Sequence, residues 1–120
     1  MMAVHGVYIS VHKVMEENGD GDKPIWITEI SCPGVPNGVA SKGWFLGKSS
    51  TESIQAQWVM TVLGEMIHWK GVQKVFWAGF RDTNDKYHDD TDYMGLIRND
   101  FSKKPAFEAF KKLAHTLASY

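Results

Sequence analysis

The 120 residues suit one compact domain, and 43% hydrophobic with 22% charged residues is ordinary globular composition. A formal net charge of −1 with mixed signs argues against a nucleic-acid partner, and no apolar run approaches the roughly 20 residues that would implicate a membrane. The lone Cys32 excludes an intramolecular disulfide and a cysteine-based zinc site, and residues 1–10 lack the basic and small-residue marks of a signal peptide.

Taken in chain order, Val4, Val7, Tyr8, Val11, Val14 and Met15 recur at helical spacing over 3–17, and Asn18-Gly19 stops that helix. Lys23-Pro24-Ile25-Trp26-Ile27-Thr28-Glu29-Ile30 then reads as a short buried strand, opened by Pro24 and closed by Pro33-Gly34. A run apolar on both faces belongs in a parallel sheet covered by helices. Glu29, near its carboxyl end, has no packing role in such a strand. Ligands of parallel α/β folds bind at that end, which makes Glu29 the candidate reacting group. Trp26 alternates out of phase with Glu29 and is expected to pack against the helices.

A long loop follows over 31–48, punctuated by Gly34, Pro36, Gly38, Gly43 and Gly47 and carrying Trp44 and Phe45. Loops of that length inside a domain are functional or disordered, and the two aromatics favour an ordered one. Ser49-Ser50-Thr51-Glu52 reads as a capping box with Ser49 as N-cap, opening a helix that ends near Lys70-Gly71. A second strand is predicted over 72–80, then an Asp-rich loop over 81–102 with a short extended piece at 94–98. Ser102 is expected to cap a last helix with Pro105 in its first turn. The predicted fold class is therefore α/β: two parallel strand–helix units preceded by one helix. Long loops after the strands and short ones before them match the active-site face of a (β/α)₈ barrel. Two strands leave both sheet edges unpaired, so part of a TIM barrel is expected, or a protomer that completes its sheet by assembly.

These residues resemble clan A glycoside hydrolases. Pro24-Ile25-Trp26-Ile27-Thr28-Glu29 looks like their seventh-strand motif, in which the glutamate after Thr is the nucleophile. Val75-Phe76-Trp77 with Arg81-Asp82 is similar to their eighth strand, where a Trp commonly floors the sugar subsite. Gln55-Ala56-Gln57 looks like the start of their seventh helix, and 95–107 resembles the approach to the last one. The resemblance spans residue 23 to the C-terminus and matches the C-terminal quarter of such an enzyme. It implies a retaining O-glycosidase acting on a carbohydrate substrate without a cofactor, with Glu29 as nucleophile. It also implies Trp77 as sugar platform, with Trp44, Arg81 and Asp82 as further substrate contacts.

A retaining glycosidase also needs an acid/base carboxyl about 5–5.5 Å from the nucleophile. In the resembled families it is a Glu after Asn on the fourth strand, and no Asn-Glu pair exists here. The other glutamates (16, 17, 52, 65 and 108) all fall on predicted helices, so the acid/base is expected outside this chain. The alternative is a non-catalytic α/β fragment that self-associates or binds carbohydrate through exposed aromatics.

Other patterns carry less. Asn18, Asp20, Asp22 and Glu29 fall on calcium-loop positions, but Lys23 replaces the required glycine and Pro24 suits a strand. Gly43 to Ser49 imitates a phosphate loop with one residue too few between its glycines. Asp82, Asp85, Asp89, Asp90 and Asp92 read as a solvated acidic loop, with Arg81 and Asp82 at its rim. No metal site is expected.

Overall fold

The computed structural model describes residues 2–41 and 50–118. It bears out the α/β architecture: α1 (Met2–Glu17), β1 (Ile25–Ile30), α2 (Glu52–Trp58), α3 (Gly64–Met66), β2 (Val72–Trp77) and α4 (Pro105–Ala118). Helix α2 runs through a π-helical turn, Val59–Leu63, into α3. A 3₁₀ turn, Asp90–Tyr93, interrupts the loop before α4. Strands β1 and β2 pair in parallel and form a two-stranded open sheet, the architecture of two strand–helix units of a barrel.

Helix α1 ends where Asn18 donates its side-chain amide to the Val14 carbonyl (2.8 Å) and Gly19 turns left-handed at φ 78°. The helix is held at its start by aromatic contact. Tyr8 stacks on Trp69 with ring centres 4.8 Å apart and donates its hydroxyl to the Lys70 carbonyl (2.6 Å). Its apolar stripe is not buried: Val7 is 65% exposed, and Val11 and Val14 are also open. The core is a separate cluster, where Val59, Leu96 and Ala106 gather Trp77, Phe107, Ala109 and Phe110 around them.

Chain dimensions agree with an open segment. The radius of gyration is 15.6 Å, against about 14 Å for a compact chain of this length. The exposed surface is 7778 Å², against about 6,600 Å² for a compact monomer of this mass. Large apolar side chains stand open on it, including Trp26, Phe76 and Phe80 as well as the α1 stripe.

Several local expectations are corrected. The N-cap of α2 is Thr51, whose Oγ1 accepts from the Ile54 amide (3.2 Å); Ser49 lies outside the described residues. Glu52 does not close a capping box but grips Arg98 at 2.6 and 3.1 Å. The helical run ends at Met66, and Trp69 sits in the turn beyond it. Strand β2 stops at Trp77, and Gly79 turns at φ 87° before the loop. Ser102 is not the cap of α4; it accepts from the Arg98 guanidinium (3.1 Å) and donates to Asp100 (2.6 Å).

Strand β1 is half open rather than buried on both faces. Its period is broken as well. Ile27 stands opposite Val75 and Ile30 opposite Trp77, so Thr28 and Glu29 together face the single residue Phe76. This is a β-bulge, and an extra residue resets which way later side chains point. The phase argument that sent Trp26 toward the helices fails at that point. Trp26 is 52% exposed, touches Phe76, lies 4.4 Å beneath the Lys74 ammonium and donates to Gln73 (2.6 Å).

Candidate active site at the carboxyl end of the sheet

Glu29 sits on this bulge at the carboxyl end of β1, exposed to solvent. Among the described residues its carboxylate has no hydrogen-bond or ion-pair partner, although Lys74 stands on the neighbouring strand. That separates it from Glu52, which is committed to Arg98, and from Glu16, which is shared between His12 and Lys70. Natural sheets place bulges beside barrel rims and active sites because they re-aim one side chain.

Behind Glu29 the two long loops are stapled together. The Ala78 amide donates to the Ile30 carbonyl (2.9 Å), Ser31 Oγ lies 3.0 Å from Met94 Sδ, and the Gly34 amide donates to the Tyr93 carbonyl (2.9 Å). Gln55, fully buried on α2, donates its side-chain amide to the carbonyls of Cys32 (2.8 Å) and Gly95 (3.2 Å). Gly34 is required there, since a Cβ on it would stand 2.2 Å from Gln55 Oε1. Cys32 sits half-buried against Ser50, and burial pushes its thiol above its ordinary range, opposed by the Ser50 contact and the Lys104 charge.

Asp82 corrects the rim expectation. Its carboxylate is buried, bound by the Lys104 ammonium (3.1 Å) and by the Gly95 amide (2.8 Å), and Lys104 also donates to the Tyr93 carbonyl (2.9 Å). Burial pushes Asp82 above its ordinary value, against the opposing pull of Lys104 and the Gly95 amide. Burial equally pushes Lys104 below its own value, against Asp82. The pair fixes the loop to α4 through Oδ1, and Asp82 also lines a cleft with Asn84 and Asn99.

Arg81 remains exposed at the start of the same loop, its guanidinium 4.6 Å over the ring of Phe101. Trp77 belongs to the core side. Its ring meets Trp58 edge-on at 6.1 Å, and its indole N–H donates to the Met94 carbonyl (3.0 Å). The residue is nonetheless half-buried, and it lines an apolar cleft with Phe76 and Phe80. Trp44 lies outside the described residues.

The acidic loop is less solvated than its composition implies. Asp90 and Asp92 are buried, and Asp92 accepts from the amides of Lys86 (2.9 Å), Tyr87 (3.1 Å) and His88 (3.0 Å) as well as from Thr83. Desolvation alone would raise its pKa. The hydrogen bonds from Thr83 and the three amides outweigh it and hold the carboxyl below its ordinary value. A cleft of about 420 Å³ between Pro36, Asn84, Tyr93, Arg98 and Asn99 opens on this layer. Among the described residues no three His, Cys, Asp or Glu side chains gather closely enough to hold a metal ion.

No family model matches the sequence, and no curated protein matches it. Solved structures do. A GH2 beta-galacturonidase from Eisenbergiella tayi bound to galacturonate superposes with a TM-score of 0.69 at 18% identity. A Faecalibacterium prausnitzii beta-glucuronidase gives 0.58 at 17% over 89% of this chain, and a GH5_18 structure from Bifidobacterium longum subsp. infantis gives 0.59 at 16% over 80%. The fold is similar to that of a segment of these structures. The chain covers 20% of the beta-galacturonidase, with 91% of its own length aligned. It thus spans about a fifth of the proteins it resembles.

Proposed function

We propose that this chain is the C-terminal part of a clan A glycoside hydrolase barrel and cleaves O-glycosidic bonds with retention. Glu29 is the nucleophile, and Trp77, Arg81 and Asp82 are the described residues offered as substrate contacts. The observation that supports this best is Glu29 itself: an exposed carboxylate, without a partner among the described residues, on a bulge at the carboxyl end of a parallel strand. Its oxygen attacks the anomeric carbon, the bond to the leaving oxygen breaks, and a glycosyl ester forms; water then cleaves that ester. Protonation of an ordinary leaving group falls to a second carboxyl from outside these 120 residues.

The remaining strands dock on the open edge of β1. A groove of about 460 Å³ runs there between α1 and β1, lined by Val4, Val7, Val11, Ile25 and Ile27, with Glu29 also in its lining. Sheet edges and apolar stripes of this kind are covered in folded barrels.

A dinitrophenyl glycoside tests the nucleophile without the missing acid, because dinitrophenolate leaves unprotonated. Glu29→Gly should abolish its turnover, and azide should restore release with a glycosyl azide of inverted configuration as product. Unchanged turnover in Glu29→Gly removes the assignment. A second reading, carbohydrate binding without catalysis, is favoured by the exposed Trp26–Phe76 pair. It predicts sugar binding that Trp26→Ala abolishes and Glu29→Gly leaves intact.

A further inference from the structure

We propose that Gln55 is the positioning residue for Glu29, an inference that rests on the nucleophile reading above. Gln55 is the one fully buried amide side chain among the described residues, and it approaches three backbone carbonyls from two different loops. Its Nε2 lies 2.8 Å from the Cys32 carbonyl, 3.2 Å from that of Gly95 and 3.4 Å from that of Tyr93. Cys32 is three residues downstream of Glu29, on the loop leaving β1. Gly95 and Tyr93 belong to the loop that follows β2. A single –NH₂ therefore joins the exits of both strands from beneath, while Ser31 and Gly34 join them on either side of it.

This arrangement costs something in stability. Gln55 Oε1 is buried with no hydrogen-bond partner, and an orphaned buried acceptor calls for an explanation. An apolar side chain of similar size would leave no such atom behind. What it could not do is hold the Cys32 carbonyl, and with it the downstream anchor of the bulge. A bulged residue has lost its ladder partner, so its direction is set by how firmly the chain is held on both sides. Upstream, the paired residues Trp26 and Ile27 hold it. Downstream, the hold is Ile30, then Cys32 through Gln55.

The test compares Gln55→Leu and Gln55→Glu with Met66→Ala, a variant at a fully buried position in the same helical run, three turns from Gln55, that lowers overall stability. Amide hydrogen exchange at residues 30–34 is measured by NMR in each, together with the inactivation rate by dinitrophenyl 2-deoxy-2-fluoro-glucoside and -galactoside. The expected result is exchange at 30–34 at least about tenfold faster in both Gln55 variants than in Met66→Ala at matched global stability. Inactivation should slow at least about tenfold at saturating inhibitor, with half-saturation unchanged, since the nucleophile is misaimed and the sugar site is not. Exchange at 30–34 that follows global stability alike in all three variants overturns the proposal. Inactivation that slows no more than in Met66→Ala overturns it too. Labelling of wild type at a carboxylate other than Glu29 instead defeats the nucleophile reading, and the exchange rates still decide whether Gln55 clamps the loops.

Discussion

The Lys104–Asp82 pair gives a stability prediction whose size follows from its burial. Both side chains are almost wholly inaccessible, at 1% and 3% exposure for the two residues, and they meet at 3.1 Å. Replacing Lys104 by Met keeps much of the volume but strands a carboxylate that the Gly95 amide alone must satisfy. Breaking a buried pair in this way costs about 3–5 kcal/mol. For a chain of this size that is a fall in Tm of about 10–20 °C. The Tyr93 carbonyl does not add to the loss, because it keeps the Gly34 amide. Adding Asp82→Asn removes the stranded charge while an amide oxygen still accepts from Gly95, so the double variant should recover to within about 1–2 kcal/mol of wild type.

The sign of the pH dependence follows as well. Asp82 binds its proton more tightly folded than unfolded, so its contribution to stability falls as pH rises from its ordinary 3.8 through the folded value. Lys104→Met raises the folded value further, and its deficit should therefore shrink on acidification toward 3.8. Urea unfolding of the four proteins at several pH values completes the cycle. Additive single losses, with no recovery in the double variant, would refute the reasoning.

Three further outcomes follow. Gly95→Ala sets a Cβ 2.3 Å from the Asp82 amide nitrogen, a backbone atom with no room to yield, and should cost at least about 3 kcal/mol in urea unfolding. Asp92 has a folded pKa below its ordinary 3.8, so its stabilisation is present above 3.8 and lost as pH falls through the lower folded value. Amide exchange at Lys86, Tyr87 and His88 should accelerate over that window, and Asp92→Asn should make it fast at neutral pH already. The open groove between α1 and β1 should make the isolated chain self-associate at about 100 μM; Val7→Glu should shift sedimentation toward the monomer.

The elements were legible because their periods are simple. Helix α1, both strands and α4 follow from apolar spacing and from Pro24, Gly19 and Pro105, which punctuate the chain through fixed backbone geometry. The position of Glu29 at the carboxyl end of β1 also follows from the sequence. The bulge beside it does not, because a two-versus-one register is decided by the partner strand. That is why Trp26 was expected among the helices and lies half exposed.

Arg81 and Asp82 show a second limit. Adjacent in sequence, they part in space because Lys104, 22 residues on, reaches back to bury one of them. Only tertiary contact distinguishes a rim carboxylate from a structural one. Asp92 and Gln55 were missed for the same reason, although a glutamine on the inner face of an amphipathic helix is a visible signal: the stripe around it is apolar, and a buried amide must bind something.

The most direct measurement is the site of covalent labelling. The chain, alone and combined with the remainder of a barrel, is treated with a dinitrophenyl 2-deoxy-2-fluoro-glycoside, digested and mapped by tandem mass spectrometry. The account predicts one glycosyl ester, on Glu29, absent from Glu29→Gln. A stable adduct on any other carboxylate, or undiminished labelling in Glu29→Gln, would contradict it.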